Sequence, residues 1–77
     1  PHRGLEVTLW HVEAGCGQAL PPFSGLRFLF VKAGKGRVHG QELRTWSAVR
    51  VLPGESVHLE AEDALEVLEL SVALVSG

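Results

Sequence analysis

Seventy-seven residues with seven Lys and Arg against nine Asp and Glu, a net charge of −2, leave room for one domain and no basic surplus to hold nucleic acid. Apolar residues reach 45%, yet no run of about 18 of them exists, which excludes a transmembrane helix. The single cysteine, Cys16, has no internal partner, and no charged-then-apolar leader opens the chain, so a reducing, cytoplasmic setting is expected.

After a loose lead-in from Pro1 to Gly4, Leu5, Val7 and Leu9 alternate with Glu6, Thr8 and Trp10. That alternation predicts a strand to about Val12 with the leucine and valine face turned inward. Gly15, Gly17, Pro21, Pro22 and Gly25 predict a loop from Glu13 to Gly25, long for so small a domain and of a kind that often lies over a partner. In the run Leu26 to Val31, Phe28 and Phe30 share one face while Leu29 and Val31 share the other. A strand apolar on both sides belongs in the middle of a sheet, under a second layer or across a subunit interface. Lys32, Lys35 and Arg37 cluster around Gly34 to Gly36 as the solvated tip of a hairpin.

Val38 then leads into a His39-Gly40 turn, Leu43 follows it, and Val49 and Val51 alternate with Arg50. At Leu52-Pro53-Gly54-Glu55, Pro53 pre-sets φ and Gly54 can take the positive φ of a type II turn, so the chain reverses. Val57 and Leu59 alternate with Ser56, His58 and Glu60, which predicts a strand with one face buried. Beyond the acidic turn Glu60 to Asp63, Ala64 to Leu74 reads as a last strand; Glu66 and Glu69, three apart, would also suit a helix, but Val67 and Val72 favour β. About seven short strands, with a Gly or Pro signal roughly every eight to twelve residues, predict an all-β sandwich or barrel.

With the strands in this order, Leu9-Trp10, Phe28 to Val31, Gly36, Val38-His39-Gly40, Leu43, Ala48 to Val51, Glu55-Ser56, Leu59 to Ala61 and Glu66 to Leu68 form an ordered set that resembles a cupin. Within that superfamily the set is most similar to the C-terminal cupin domain of pirin-like proteins, the group that includes bacterial quercetinases. The resemblance implies a small jelly roll over residues 1–77, equivalent to the half of a two-domain protein that carries no metal. His39 stands where the family usually has Asn, and Trp46-Ser47 where it commonly has Gly-Asp. Metal-binding cupins place a His-x-His pair, a Glu and a further His; here His2, His11, His39 and His58 are scattered, so no metal and no cofactor are expected.

Among candidate site residues, His11 extends the face of Leu5, Val7 and Leu9 and could serve as ligand or base at the mouth of a barrel. The plainer reading is a partly buried histidine bonded to a backbone carbonyl. His58 points away from whatever Val57 and Leu59 bury, and Cys16 has no neighbouring cation in sequence to activate it. Trp10 and Trp46 are the kind of large aromatic that anchors an interface or lines a pocket. No serine sits in a nucleophile elbow, Gly34-Lys35-Gly36 is too short to cradle phosphate, and the carboxylates of Glu60, Glu62, Asp63 and Glu66 lack calcium-loop spacing.

The reading that follows is a metal-free cupin-like binding or structural module without catalytic residues. His11 and Trp46 are its ligand-binding candidates, and Trp10, Leu29 and Val31 its interface candidates. It is expected to form a homodimer or to pack on a missing partner domain, with room for a small-molecule ligand. Two rivals remain open: a minimal cupin enzyme acting on a small sugar or aromatic compound, with His11 and Glu13 near the mouth, and the ligand-sensing cupin of a regulator.

Overall fold

A computed structural model describes residues 4–73. The lead-in at residues 1–3, His2 with it, and Leu74 lie outside them. Eight strands follow one another: β1 Leu5–Val12, β2 Gly17–Leu20, β3 Leu26–Ala33, β4 Gly36–Val38, β5 Gln41–Leu43, β6 Ala48–Val51, β7 Val57–Ala61 and β8 Leu65–Val72. They form two four-stranded sheets, β1-β8-β3-β6 and β2-β7-β4-β5, antiparallel throughout. Strands that pair with distant partners across two facing sheets make the double Greek key of a jelly roll.

The turns form where local chemistry asks for them. His39 and Gly40 both have positive φ, 50° and 77°, as a two-residue hairpin between Val38 and Gln41 requires. Gly54 takes φ 78° and the Glu55 amide donates to the Leu52 carbonyl at 3.1 Å, closing the expected reversal. Trp46 is the exception, a bulky side chain at φ 74°. It is held there by its amide, which donates to the Val31 carbonyl at 2.8 Å, while the Val31 amide donates to the Ser47 carbonyl at 2.9 Å.

One strand was hidden in the segment expected to be a loop. β2 has no β-branched residue and is bracketed by glycine and proline, so local propensity argues against it. Its pairing with β7, from Gly17 opposite Glu60 to Leu20 opposite Val57, is what makes it a strand.

The core lies between the sheets. Leu29, Val31, Leu65 and Val67 of the longer sheet meet Val38, Val57 and Leu59 of the shorter one, all 2% exposed or less. Leu29 and Val31, expected at an interface, are therefore core residues, because register fixes them on the face that the second sheet covers. The inward face expected of β1 is corrected too. Its register with β8 sets Trp10 opposite Val67 and Val12 opposite Leu65, so these turn inward while Leu5, Val7 and Leu9 turn out.

At one end of the interior the packing is polar. The Arg27 side chain is 2% exposed and Glu69 6%, and their charged groups lie 3.3 Å apart. Arg27 also donates from Nη1 to the Pro21 carbonyl at 2.8 Å and from Nη2 to the Glu55 carbonyl at 2.9 Å. Trp10 Nε1 donates to the other Glu69 oxygen at 2.9 Å, while Arg27 Nε is buried without a partner. The network ties the loop before β3 and the loop before β7 to β1 and β8.

Two outcomes follow for stability. Arg27→Met strands the Glu69 carboxylate in the core and is expected to cost about 3–5 kcal/mol in urea unfolding, much of what a domain this small has. Adding Glu69→Gln removes the stranded charge and keeps an acceptor for Trp10, so the double variant recovers part of the loss; no recovery would sink the network account. At Trp46, alanine keeps the strained φ and glycine relieves it. Trp46→Gly is expected to be about 1 kcal/mol more stable than Trp46→Ala, and the reverse order would mean that φ 74° costs nothing here.

Candidate functional site

Alternation on β1, β8 and β3 leaves the outer face of the longer sheet almost wholly apolar. Register lines its residues up in rows: Leu5, Val72 and Leu26; then Val7, Leu70 and Phe28, ending on Arg50; then Leu9, Leu68 and Phe30, ending on Ala48. His11 and Glu66 pair in the next row, at the end of the patch. Of the large hydrophobic side chains that are exposed among the described residues, Leu5, Val7, Leu9, Phe28 and Trp46 belong to this patch. Surface leucines scattered singly are ordinary, but a contiguous apolar patch of several hundred Å² marks a place where something docks.

Trp46 finishes the patch at the β6 side. Its indole is 71% exposed and leans on Phe30, ring centroids 5.6 Å apart at 53°. Left-handed backbone at a tryptophan is strained, and the residue so held presents its ring to solvent. Trp10, also an interface candidate, is half-buried on the inner face and spends its N–H on Glu69. His11 is exposed on the outer face of β1, so it does not reach the interior as its expected place on an inward face implied.

The outer face of the shorter sheet has a different character. Ala19, His58, Glu60, Arg37 and Glu42 occupy it, and two adjoining open grooves of about 630 and 310 Å³ share His39 and His58. Leu20, Pro21, Pro22 and Val57 line the apolar end, Arg37 and Glu60 the polar one. His39 Nε2 donates to the Ser56 carbonyl at 2.8 Å, which pins the ring across to the strand beside it. His58 lies over Gly17, where an added Cβ would meet its Nε2 at 2.8 Å. Sequence reasoning set His58 aside as an outer-face residue and gave His39 only a turn role; their proximity comes from β4 and β2 both pairing with β7, which no local pattern announces.

Among the described residues no group of three or more His, Cys, Asp and Glu is gathered closely enough to hold a metal ion. The donor set of a metal-binding cupin therefore does not fit these side chains. Cys16 is free and exposed. No helix among the described residues is long and apolar enough to cross a membrane.

No family model matches the chain, and no curated protein matches it. Solved structures do. A conserved protein of unknown function from Streptococcus pyogenes superposes with a TM-score of 0.75 at 14% identity, over 94% of this chain and 67% of that one. A cupin protein from Bacteroides fragilis superposes with a TM-score of 0.70 at 22% identity, over 96% of this chain and 71% of that one. At such identities the likeness speaks for the fold, and the fold is a small cupin-like β-sandwich.

Proposed function

We propose that this chain is a binding or structural module, one cupin-like domain that docks through the outer face of its longer sheet and carries no chemistry of its own. The observation behind it is the apolar patch with Leu5, Val7, Leu9, Phe28 and Trp46 all at least 40% exposed. An aromatic anchor such as Trp46 within an aliphatic field is the composition that carries binding energy at interfaces. The order of matching residues from Leu9 to Leu68 supports the narrower likeness to the C-terminal cupin of pirin-like proteins, with a role in regulation through protein contacts. The free, exposed Cys16 fits a reducing compartment.

A second reading, a ligand-sensing cupin, draws on the groove between His39 and His58 with its apolar and polar ends. It places the ligand outside the sandwich, because the interior is filled by the chain's own side chains. The two readings separate on the surface they use.

Elemental analysis of the purified, dialysed chain tests the absence of metal chemistry. Iron, manganese, nickel and zinc are expected well below one per chain. Any of them at stoichiometric level would overturn the module reading and return attention to the histidines.

A further inference from the structure

The walls of the groove beside His39 and His58 are tied together before anything enters it. Pro21 and Pro22 follow β2, Ser56 and Val57 lead into β7, and His39 sits in the turn between β4 and β5, so three segments remote in sequence line it. Arg27 holds two of them from inside, with Nη1 donating to the Pro21 carbonyl and Nη2 to the Glu55 carbonyl. The Gly54 amide donates to the Phe23 carbonyl at 2.8 Å, and His39 Nε2 fastens the third wall to Ser56. A preformed cleft spends little binding energy on ordering itself.

Its chemistry changes along its length. Leu20, the two prolines and Val57 make one end apolar, and at the other Arg37 stands opposite Glu60 across β4 and β7. The charge of Arg37 is unspent. Its other cross-strand neighbour, Glu42, turns to Arg44 at 3.6 Å, and Arg37 makes no ion pair among the described residues. Between the two ends lie the imidazoles. A carbonyl only accepts, so His39 spends its Nε2 hydrogen on Ser56 and serves as a wall, which leaves His58 as the donor beside Arg37. The His58 ring occupies room over Gly17 that any Cβ at that position would take.

We infer that this groove takes a carboxylic acid with an apolar body, its carboxylate held by Arg37 and His58 and its body laid along Val57, Leu20 and the prolines. This rests on the ligand-sensing reading above and names its ligand. A guanidinium offers two parallel N–H groups to the two oxygens of a carboxylate, while Glu60 beside it repels a doubly charged phosphate. Register sets the length. Arg37 shares a row with Glu60 and Gly17, the next row carries His58 and Ala19, and Pro21 lies one row further. Such rows are roughly 7 Å apart, and the arginine stem covers part of the span, so an acid about 10 Å long reaches from the proline wall to the guanidinium. Acetate is too short; an aryl-substituted or medium-chain acid fits.

Titration of phenylbutyrate into the whole chain, followed by heteronuclear NMR of the backbone amides, decides it. The signals of Ala19, Arg37, Val57 and His58 are expected to move and saturate, while those of Val7 and Leu9 on the apolar face stay. Arg37→Gln and His58→Gln, both at exposed positions, are each expected to weaken binding about tenfold, the loss of a charge-assisted hydrogen bond. Gly17→Ala keeps every charge and displaces the His58 ring, so a severalfold loss is expected there too. Phenylbutanol, the same body without the charge, is expected to bind at least tenfold more weakly. Shifts confined to Val7, Leu9 and Phe28, or binding unchanged in both glutamine variants, overturn the inference. Phenylbutanol binding in the groove as tightly as the acid overturns the acid alone and leaves the groove to a neutral ligand. No shift in the groove with either compound at tens of millimolar removes the ligand-sensing reading as well.

Discussion

The pairing of Arg27 with Glu69 in the sandwich interior constrains the rest of the fold. A guanidinium and a carboxylate cannot be taken out of water unless each finds partners, and here the partners are spread over the whole chain. Arg27 reaches the carbonyls of Pro21 and Glu55, and Glu69 accepts from Trp10. Four segments remote in sequence must therefore be in place together. The pairing also sets the orientation of the longer sheet. With Arg27, Glu69 and Ser71 facing in, register obliges Leu26, Phe28, Leu68, Leu70 and Val72 to face out. The interior took a charged pair, and the apolar surplus went to the surface.

That inversion explains which parts of the structure were legible in the sequence. The His39-Gly40 hairpin and the Pro53-Gly54 reversal were readable because a turn is decided by the few residues in it. β7 was readable because Val57 and Leu59 have polar neighbours on either side, which leaves one choice of face. β1 presented a choice that alternation cannot make. Period two says that Leu5, Val7 and Leu9 share a face, but whether the second sheet covers it depends on where that sheet lies. The hydrophobic rule favoured burying them, and tertiary structure buried Trp10 and Val12 instead. The same ambiguity on β3 led from two apolar faces to the wrong pair, Leu29 and Val31, as the outer one. The apolar surplus was visible in the sequence, and the face that would carry it was not.

Trp46 shows how a departure from a familiar pattern carries structural information. The resembling family commonly has glycine there, and the backbone at φ 74° is one that glycine adopts freely. A tryptophan tolerates it at a cost of order 1–2 kcal/mol, so the position demands a local conformation that this side chain does not prefer. Leaning on Phe30 returns some of that cost, since a tilted aromatic pair contributes about 0.5–1.5 kcal/mol. Folding alone is thus served little by the exchange. The indole stands 71% exposed beside the rows of Leu9 and Phe30, where its area counts only once a partner covers it.

A jelly roll can host chemistry inside, in a groove on its surface, or not at all, and fold does not choose among these. In this chain the interior is occupied: Leu29, Val31, Leu59, Leu65 and Val67 fill the space between the sheets, and Arg27 with Glu69 closes one end. What remains for function is the outside, where the two faces divide the possibilities. One is polar, grooved and carries His39 and His58; the other is broad, apolar and set with an aromatic anchor. Burial of the second favours association by the non-directional term that dominates protein contacts, and it needs no further residue to be in place. A histidine groove needs a particular ligand before it contributes anything, so the docking reading proposed above draws on the apolar face and the ligand-sensing reading on the groove.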